Sequence, residues 1–345
     1  YSSFFFFFAR AECVRPPSPA PHVVGGCHLH SVVCHPADYR HFPHFLLVTS
    51  VGWFQLAPHP FTYHSFMRTT RLYSTLIALL LLCSMALPSM ANPRLTVVVV
   101  VDGMTPDNLQ TLRSYWPAGG LRNLSEEAFQ TTIHFPHMVN GGCETMATLM
   151  TGTTPSYHGI MADRYFSRFE RTTHDVLHDY DVTGIGTSLR LSPRAILATT
   201  LSDEWRIRYG QDAKIYAIGL QPTSTIIMAG HAANACCWLD RHTLKWVTTS
   251  FYAEGLPSAA DEMNMNGRIE QLTQREWTPR MDISMYTHPT ERERKRGFTY
   301  NNYEILSQSP AANTLVIELA LALQEKRELG TDIIPDLLLL QLNTL

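Results

Sequence analysis

Ten residues, Leu95 to Met104, limit what this chain can fold into more than any other stretch. Leu-Thr-Val-Val-Val-Val-Val-Asp-Gly-Met sets seven apolar or β-branched residues in a row with no polar alternation. A strand wetted on one face alternates apolar and polar residues. An unbroken run therefore predicts a strand buried on both faces, as at the centre of a parallel sheet. The run stops at Asp102-Gly103, which puts a carboxylate just past the strand's C-terminal end. Ligands of open α/β sheets bind at that edge, and a carboxylate there can hold Zn²⁺, Mg²⁺ or Mn²⁺. The same Asp-Gly pair also suits a turn or the cap of a following helix. The strand alone does not choose between the two.

The chain has 345 residues, 45% hydrophobic and 17% charged, enough for one large core or two smaller ones. The formal net charge is −3 with no basic block, which argues against nucleic acid as a partner. Composition changes sharply along the chain, however. Residues 1–66 hold a Phe run (Phe4 to Phe8), eight of the 16 histidines and three of the seven cysteines, with neither helical nor strand period. Cys27, His28, His30, Cys34 and His35 form a His/Cys-rich tract of the sort that binds metal. Their spacing matches no zinc finger or ribbon. Since the chain starts at Tyr1, not Met, residues 1–66 read as upstream non-coding sequence, and the fold is expected to begin after them.

Residues 67–91 read as a secretory signal peptide. Met67-Arg68-Thr69-Thr70-Arg71 is a basic start, Leu76 to Leu87 is apolar, and the segment closes on Pro88-Ser89-Met90-Ala91. The competing reading is a membrane anchor, but the apolar run is short for a span and Pro88 interrupts it. Cleavage before Asn92 predicts a protein secreted or delivered to the periplasm, with no stable membrane span. Five of the 27 Lys and Arg and two of the 30 Asp and Glu precede Asn92, so residues 92–345 carry a formal charge of −6. They keep Cys143, Cys236 and Cys237, an odd number with two vicinal, which implies no disulfide framework.

Downstream, Thr105 and Pro106 suit the cap and first residue of a helix running to Tyr115. Leu121 to Ala128 predicts a second short helix and Thr131 to Phe135 a strand. A glycine-rich turn at Asn140-Gly141-Gly142 then leads into a helix whose free amide groups would face an anion. Ala195 to Tyr209 reads as an amphipathic helix. Lys214 to Leu220 and Ile226 to Met228 read as strands, and Trp246 to Tyr252 as an exposed one. Residues 253–300 are polar and irregular. Pro310 to Glu328 is a helix with Ser309 as N-cap candidate and Gly330 as C-cap. Leu337 to Leu342 is a second buried strand. Strands alternating with helices predict an α/β domain with a largely parallel sheet. The chain stops at Leu345, at the end of a core strand, and residues 92–345 are accordingly expected to be the N-terminal portion of a larger domain.

Several blocks recur in a recognisable order. They are Val99-Val100-Val101-Asp102-Gly103-Met104, the run Ala147 to Ile160 (Ala-Thr-Leu-Met-Thr-Gly-Thr-Thr-Pro-Ser-Tyr-His-Gly-Ile), Ser192-Pro193, Leu201 to Arg206, Ile227 to Ala235 and Pro335-Asp336. Together they resemble the alkaline phosphatase superfamily, and within it the type I phosphodiesterase/nucleotide pyrophosphatase branch with its secreted bacterial phosphatases. The resemblance covers roughly residues 94–345. It implies a three-layer α/β sandwich with a mostly parallel sheet, incomplete in this chain, and hydrolysis of a phosphate-ester small molecule. It also implies two metal ions, usually zinc, near a Thr or Ser nucleophile that forms a covalent phospho-enzyme.

Carried over position by position, the resemblance puts Asp102 at the first metal-ligand position. The family's nucleophile falls on Gly142, which has no side chain; Cys143 and Thr145 stand close by as weak substitutes. The Lys and Arg that support the phosphoryl oxygens fall on Gln221 and Thr223, and the phosphate-binding Asn falls on Asp163. The remaining metal ligands would lie past Leu345, while His158 and His231 belong to structural loops in this pattern. Two readings stay open: an exported phosphoric-ester hydrolase, or a catalytically inactive relative acting as an envelope binding or scaffold protein.

Overall fold

The computed structural model describes residues 5–11, 29–31 and 93–344, apart from 132, 134, 136, 138–141, 279–281 and 286–297. The proposed signal segment 67–91 lies outside the described residues. In chain order the first elements are β1 (Phe5–Ala11), β2 (Leu29–Ser31), β3 (Leu95–Asp102), α1 (Pro106–Leu112), α2 (Leu121–Glu127), α3 (Cys143–Thr151) and α4 (Pro155–His158). They are followed by β4 (Arg164–Ser167), β5 (Thr172–Asp175), β6 (Gly184–Ile185), α5 (Leu201–Tyr209), β7 (Ile215–Gly219), α6 (Pro222–Ala229), β8 (Ala235–Leu239) and β9 (Trp246–Thr249). The remainder comprises α7 (Ser258–Met265), α8 (Arg268–Thr273), β10 (Glu276–Trp277), β11 (Phe298–Thr299), α9 (Tyr303–Ser307), α10 (Pro310–Lys326) and β12 (Asp336–Asn343).

The main sheet has eight strands in the order β2-β1-β3-β12-β7-β8-β9-β6. Its centre is parallel: β3 with β12, β12 with β7, and β7 with β8. Antiparallel pairs close both sides, β9 and β6 on one and β1 and β2 on the other, with Phe5 opposite Val101, so residues 5–11 and 29–31 join the sheet where the fold was expected to begin only after residue 66. Side chains alternate between the two faces, as strand geometry requires. Val98 and Val100 of β3, Ile215 and Ala217 of β7, and Leu337 and Leu339 of β12 enter one core with α3 and α6. Tyr216, Ile218, Leu338 and Leu340 enter the other, with α7, α8 and α10. Helices on both faces of a buried sheet make the expected three-layer α/β sandwich.

Local chemistry sets the helix starts. Asn108 N–H donates to Thr105 Oγ1 at 3.1 Å, capping α1 before Pro106. Thr200 and Asp203 form a reciprocal capping box at α5. That box explains one departure from the sequence reading. The helix expected from Ala195 begins only at Leu201, because the capping pair fixes its start there; Pro193–Ala195 is a single 3₁₀ turn.

Other expectations also change. Ile226 to Met228 is not a strand but lies in the second half of α6. Pro222 in its first turn starts the helix, and burial on a helical face supplies the same apolar content. The strand is the next segment, β8. Positions 131, 133 and 135 are not in a strand. Trp246–Thr249 is buried along its whole length, not exposed, because it pairs with β8 and sits between the cores. Within 253–300, α7 and α8 form where an irregular segment was expected. Ser309 does not cap α10 with its side chain; its hydroxyl donates back to Leu306 O at 2.6 Å. Among the described residues no helix is long and apolar enough to cross a membrane.

Candidate functional site

The C-terminal ends of β3, β12 and β7 lie side by side, with Asp102 in register with Asn343 and Ile218 with Leu340. Asp102 is half-buried. Its Oδ1 is inaccessible to solvent and has no hydrogen-bond partner. Burial pushes its carboxyl pKa up, the Gly103 N–H opposes this, and the nearby Asp163 charge adds to the rise. An orphaned buried carboxylate oxygen at a strand end fits a cation ligand better than a turn cap, which would have used it.

Gly142 precedes α3, and Asp163 reaches back over it. Asp163 Oδ1 accepts the Cys143 backbone N–H at 2.6 Å. With no side chain at 142 to act as N-cap, a carboxylate twenty residues downstream performs that role. A Cβ on Gly142 would lie 2.4 Å from Asp163 Oδ1 and 2.8 Å from Oδ2. The carboxylate therefore occupies the space a side chain at 142 would need. Cys143 is buried. Burial drives its thiol well above the ordinary range. A protonated, buried thiol is a poor nucleophile. Thr145 is fully buried, with its hydroxyl 3.5 Å from Glu144 Oε1.

Gln221 and Thr223 open α6 beside this point. Gln221 is the N-cap position, although its side chain makes no cap bond. The structure thus gathers Asp102, Gly142, Cys143, Asp163 and Thr223 around one helix end, with Gln221 next to them. Sequence reading missed Gln341 and Asn343, which brace the same edge. Gln341 is fully buried; its Oε1 accepts the N–H groups of Leu220 (2.8 Å) and Gln221 (3.0 Å), and its Nε2 donates to Asn343 Oδ1 at 2.7 Å. One polar residue inside Leu337-Leu338-Leu339-Leu340-Gln341-Leu342 was the available signal.

The two loop histidines are structural, as expected. His158 is buried, with Nε2 3.0 Å from Thr148 Oγ1 and Nδ1 accepting Ile160 N–H at 3.1 Å; burial pulls its pKa down. His231 Nδ1 is 2.9 Å from Asp203 Oδ2, the α5 capping carboxylate, and that hydrogen bond raises the His231 pKa. Burial alone would raise Asp203, but hydrogen bonds from His231 and Thr200 hold it low. The His231 contribution to stability is complete below the ordinary value of 6.5 and is lost as pH rises through its elevated folded value. That of Asp203 is complete above 3.8 and fails in acid below it. His231→Gln is expected to lose about 1 kcal/mol at pH 6, since a charged hydrogen bond is discounted for partial exposure. In urea unfolding, the gap from wild type should shrink by pH 9; a pH-independent gap would contradict the pairing.

Two metal ions need a converging ligand set. Among the described residues, no three His, Cys, Asp or Glu side chains group so as to hold an ion. Asp102 fits one ligand position, and the rest of the donor set does not assemble from these residues. A separate groove of about 570 Å³, lined by Tyr165, His178, Asp179, Tyr180 and Arg194 among others, uses its charges internally. Asp179 accepts from Ser192 Oγ at 2.5 Å and pairs with Arg194 at 3.1 Å.

Residues 96–344 match the family model for type I phosphodiesterase / nucleotide pyrophosphatase. The chain belongs to that family. Alkaline phosphatase PafA of Elizabethkingia meningoseptica is 25% identical over 274 residues, covering 73% of this chain and 50% of PafA. Alkaline phosphatase PhoV of Synechococcus elongatus is 25% identical over 265 residues, covering 70% of this chain and 48% of PhoV. The crystal structure of PafA aligns with a TM-score of 0.66 at 25% identity, over 74% of this chain and 54% of that one. This chain spans about half the length of the curated relatives it matches. The match places the chain in a family of phosphoric-ester hydrolases and supports the alkaline-phosphatase-like fold.

Proposed function

We propose that this chain keeps the phosphohydrolase scaffold without its phosphoryl-transfer chemistry, and serves as an exported binding or assembly protein of the cell envelope. One observation carries the reading: position 142 is glycine, and the Asp163 carboxylate fills the space its side chain would need. Gly142 offers no attacking oxygen, and a side chain there would have to displace the Asp163 carboxylate. Gln221 and Thr223 are neutral where a developing phosphoryl charge calls for cations. Losing one such stabilising donor costs roughly 10²–10³ in rate; losing these together with the nucleophile removes the phospho-enzyme route, although such losses do not simply add. Export rests on the composition of residues 67–91.

The expected result is no turnover of p-nitrophenyl phosphate or bis(p-nitrophenyl) phosphate above buffer, with zinc supplied. Turnover abolished by Asp102→Ala would overturn the reading. The buried, unpartnered Asp102 Oδ1 favours a second reading, in which the protein still binds metal and hydrolyses phosphate esters with a metal-activated water. Metal content by mass spectrometry separates the two: zinc that is lost in Asp102→Ala supports the hydrolase, and its absence supports the scaffold.

A further inference from the structure

We propose that the Asp163 carboxylate is a built-in anion that keeps phosphate away from the N-terminus of α3, a self-blocking contact that turns the site against anionic ligands. The proposal rests on the reading above, in which position 142 supplies no nucleophile. A nine-residue helix presents unpaired N–H groups and a partial positive charge at its start, and anions settle there. In this chain that start is already taken. Asp163 Oδ1 accepts the Cys143 N–H at 2.6 Å.

The glycine at 142 and the aspartate at 163 are matched: any side chain at 142 would collide with the carboxylate. Asp102 adds a second negative charge close enough to act on Asp163. No cation faces them from α6, since Gln221 and Thr223 are both neutral. A phosphate entering would displace a tethered competitor and then sit beside two carboxylates. Tethering makes such a competitor effective at millimolar equivalents. Asp163 is itself exposed, so its carboxylate can be exchanged or removed without opening the core.

The experiment titrates inorganic phosphate into the full chain, followed by calorimetry and by the Cys143 amide resonance, with wild type beside Asp163→Asn. The asparagine keeps an acceptor for the helix and removes only the charge. Wild type should show no saturable binding in the millimolar range and Asp163→Asn at least a roughly tenfold gain, weakening with salt, as expected for removing one like charge at contact distance. Asp163→Ser, with a short capping hydroxyl, is the second variant should the first fold poorly. Millimolar binding by wild type, or no gain in a folded variant, would overturn the proposal. Hydrolysis of p-nitrophenyl phosphate is read in the same samples. Turnover by wild type would defeat the non-catalytic reading alone, and the phosphate titration decides the blocking contact in either case.

Discussion

Replacing Asp336 with alanine is expected to cost about 3–5 kcal/mol of stability, since two buried amides lose their acceptor at roughly 1–3 kcal/mol each. Asp336 begins β12 and is fully buried. Its Oδ1 accepts Lys214 N–H at the entry to β7 and its Oδ2 accepts Gly330 N–H after α10, each at 2.8 Å. Its own N–H donates to Arg94 O at 2.8 Å, just before β3. One residue thus joins the starts of the three central strands to the loop before β12, its carboxylate holding β7 and that loop and its backbone N–H the entry to β3. Alanine would leave two buried amides unpaired. Asp336→Asn keeps one acceptor and is expected to cost about 1–3 kcal/mol. Burial raises the Asp336 pKa despite the backbone donors and Lys214. Ionisation therefore works against the fold, and the wild-type advantage over the asparagine variant should narrow as pH rises above 3.8. Chemical denaturation of both variants across pH checks this; equal costs for alanine and asparagine would refute the double-acceptor account.

Gln341→Leu is expected to cost about 2–4 kcal/mol, because two buried donors, the Leu220 and Gln221 N–H groups, lose a common acceptor. The site's geometry depends on this contact, since Gln221 and Thr223 are carried into place by the turn that Gln341 holds. Gly219 lies against it: an added Cβ would stand 2.8 Å from Gln341 Cβ and 2.2 Å from Thr225 Oγ1, so the glycine is required by close approach. Hydrogen exchange at Leu220 and Gln221 should speed up in the leucine variant by more than at β8 amides. Unchanged protection at those two residues would show that the turn is held by something else.

The sequence by itself determined a good deal about this protein. The unbroken valine run demanded a strand buried on two faces, since no other placement hides it from water, and β3 lies in the middle of the sheet with cores on both sides. The leucine run of β12 obeyed the same logic. Thr105-Pro106 started a helix for local reasons, and the order of blocks around Asp102, Gly152 and His231 pointed to the family. Hydrophobic content without a clear period was ambiguous. Ile226 to Met228 read as a strand until Pro222 and its packing beneath β7 made it helical, and Trp246–Thr249 looked exposed until its pairing with β8 buried it.

The chemistry at the strand ends was a tertiary decision. Gly142 and Asp163 each read as a loss when considered alone, one of a nucleophile and one of a neutral phosphate ligand. Only the fold brings the carboxylate of one into the missing side-chain space of the other and onto the Cys143 amide. Gln341 gave no hint beyond its polarity that it would hold two amides 120 residues or more away. Periodicity and capping act within a few residues and can be read along the chain. Hydrogen-bond satisfaction and charge exclusion act between surfaces that only the closed sheet places within 3 Å of each other.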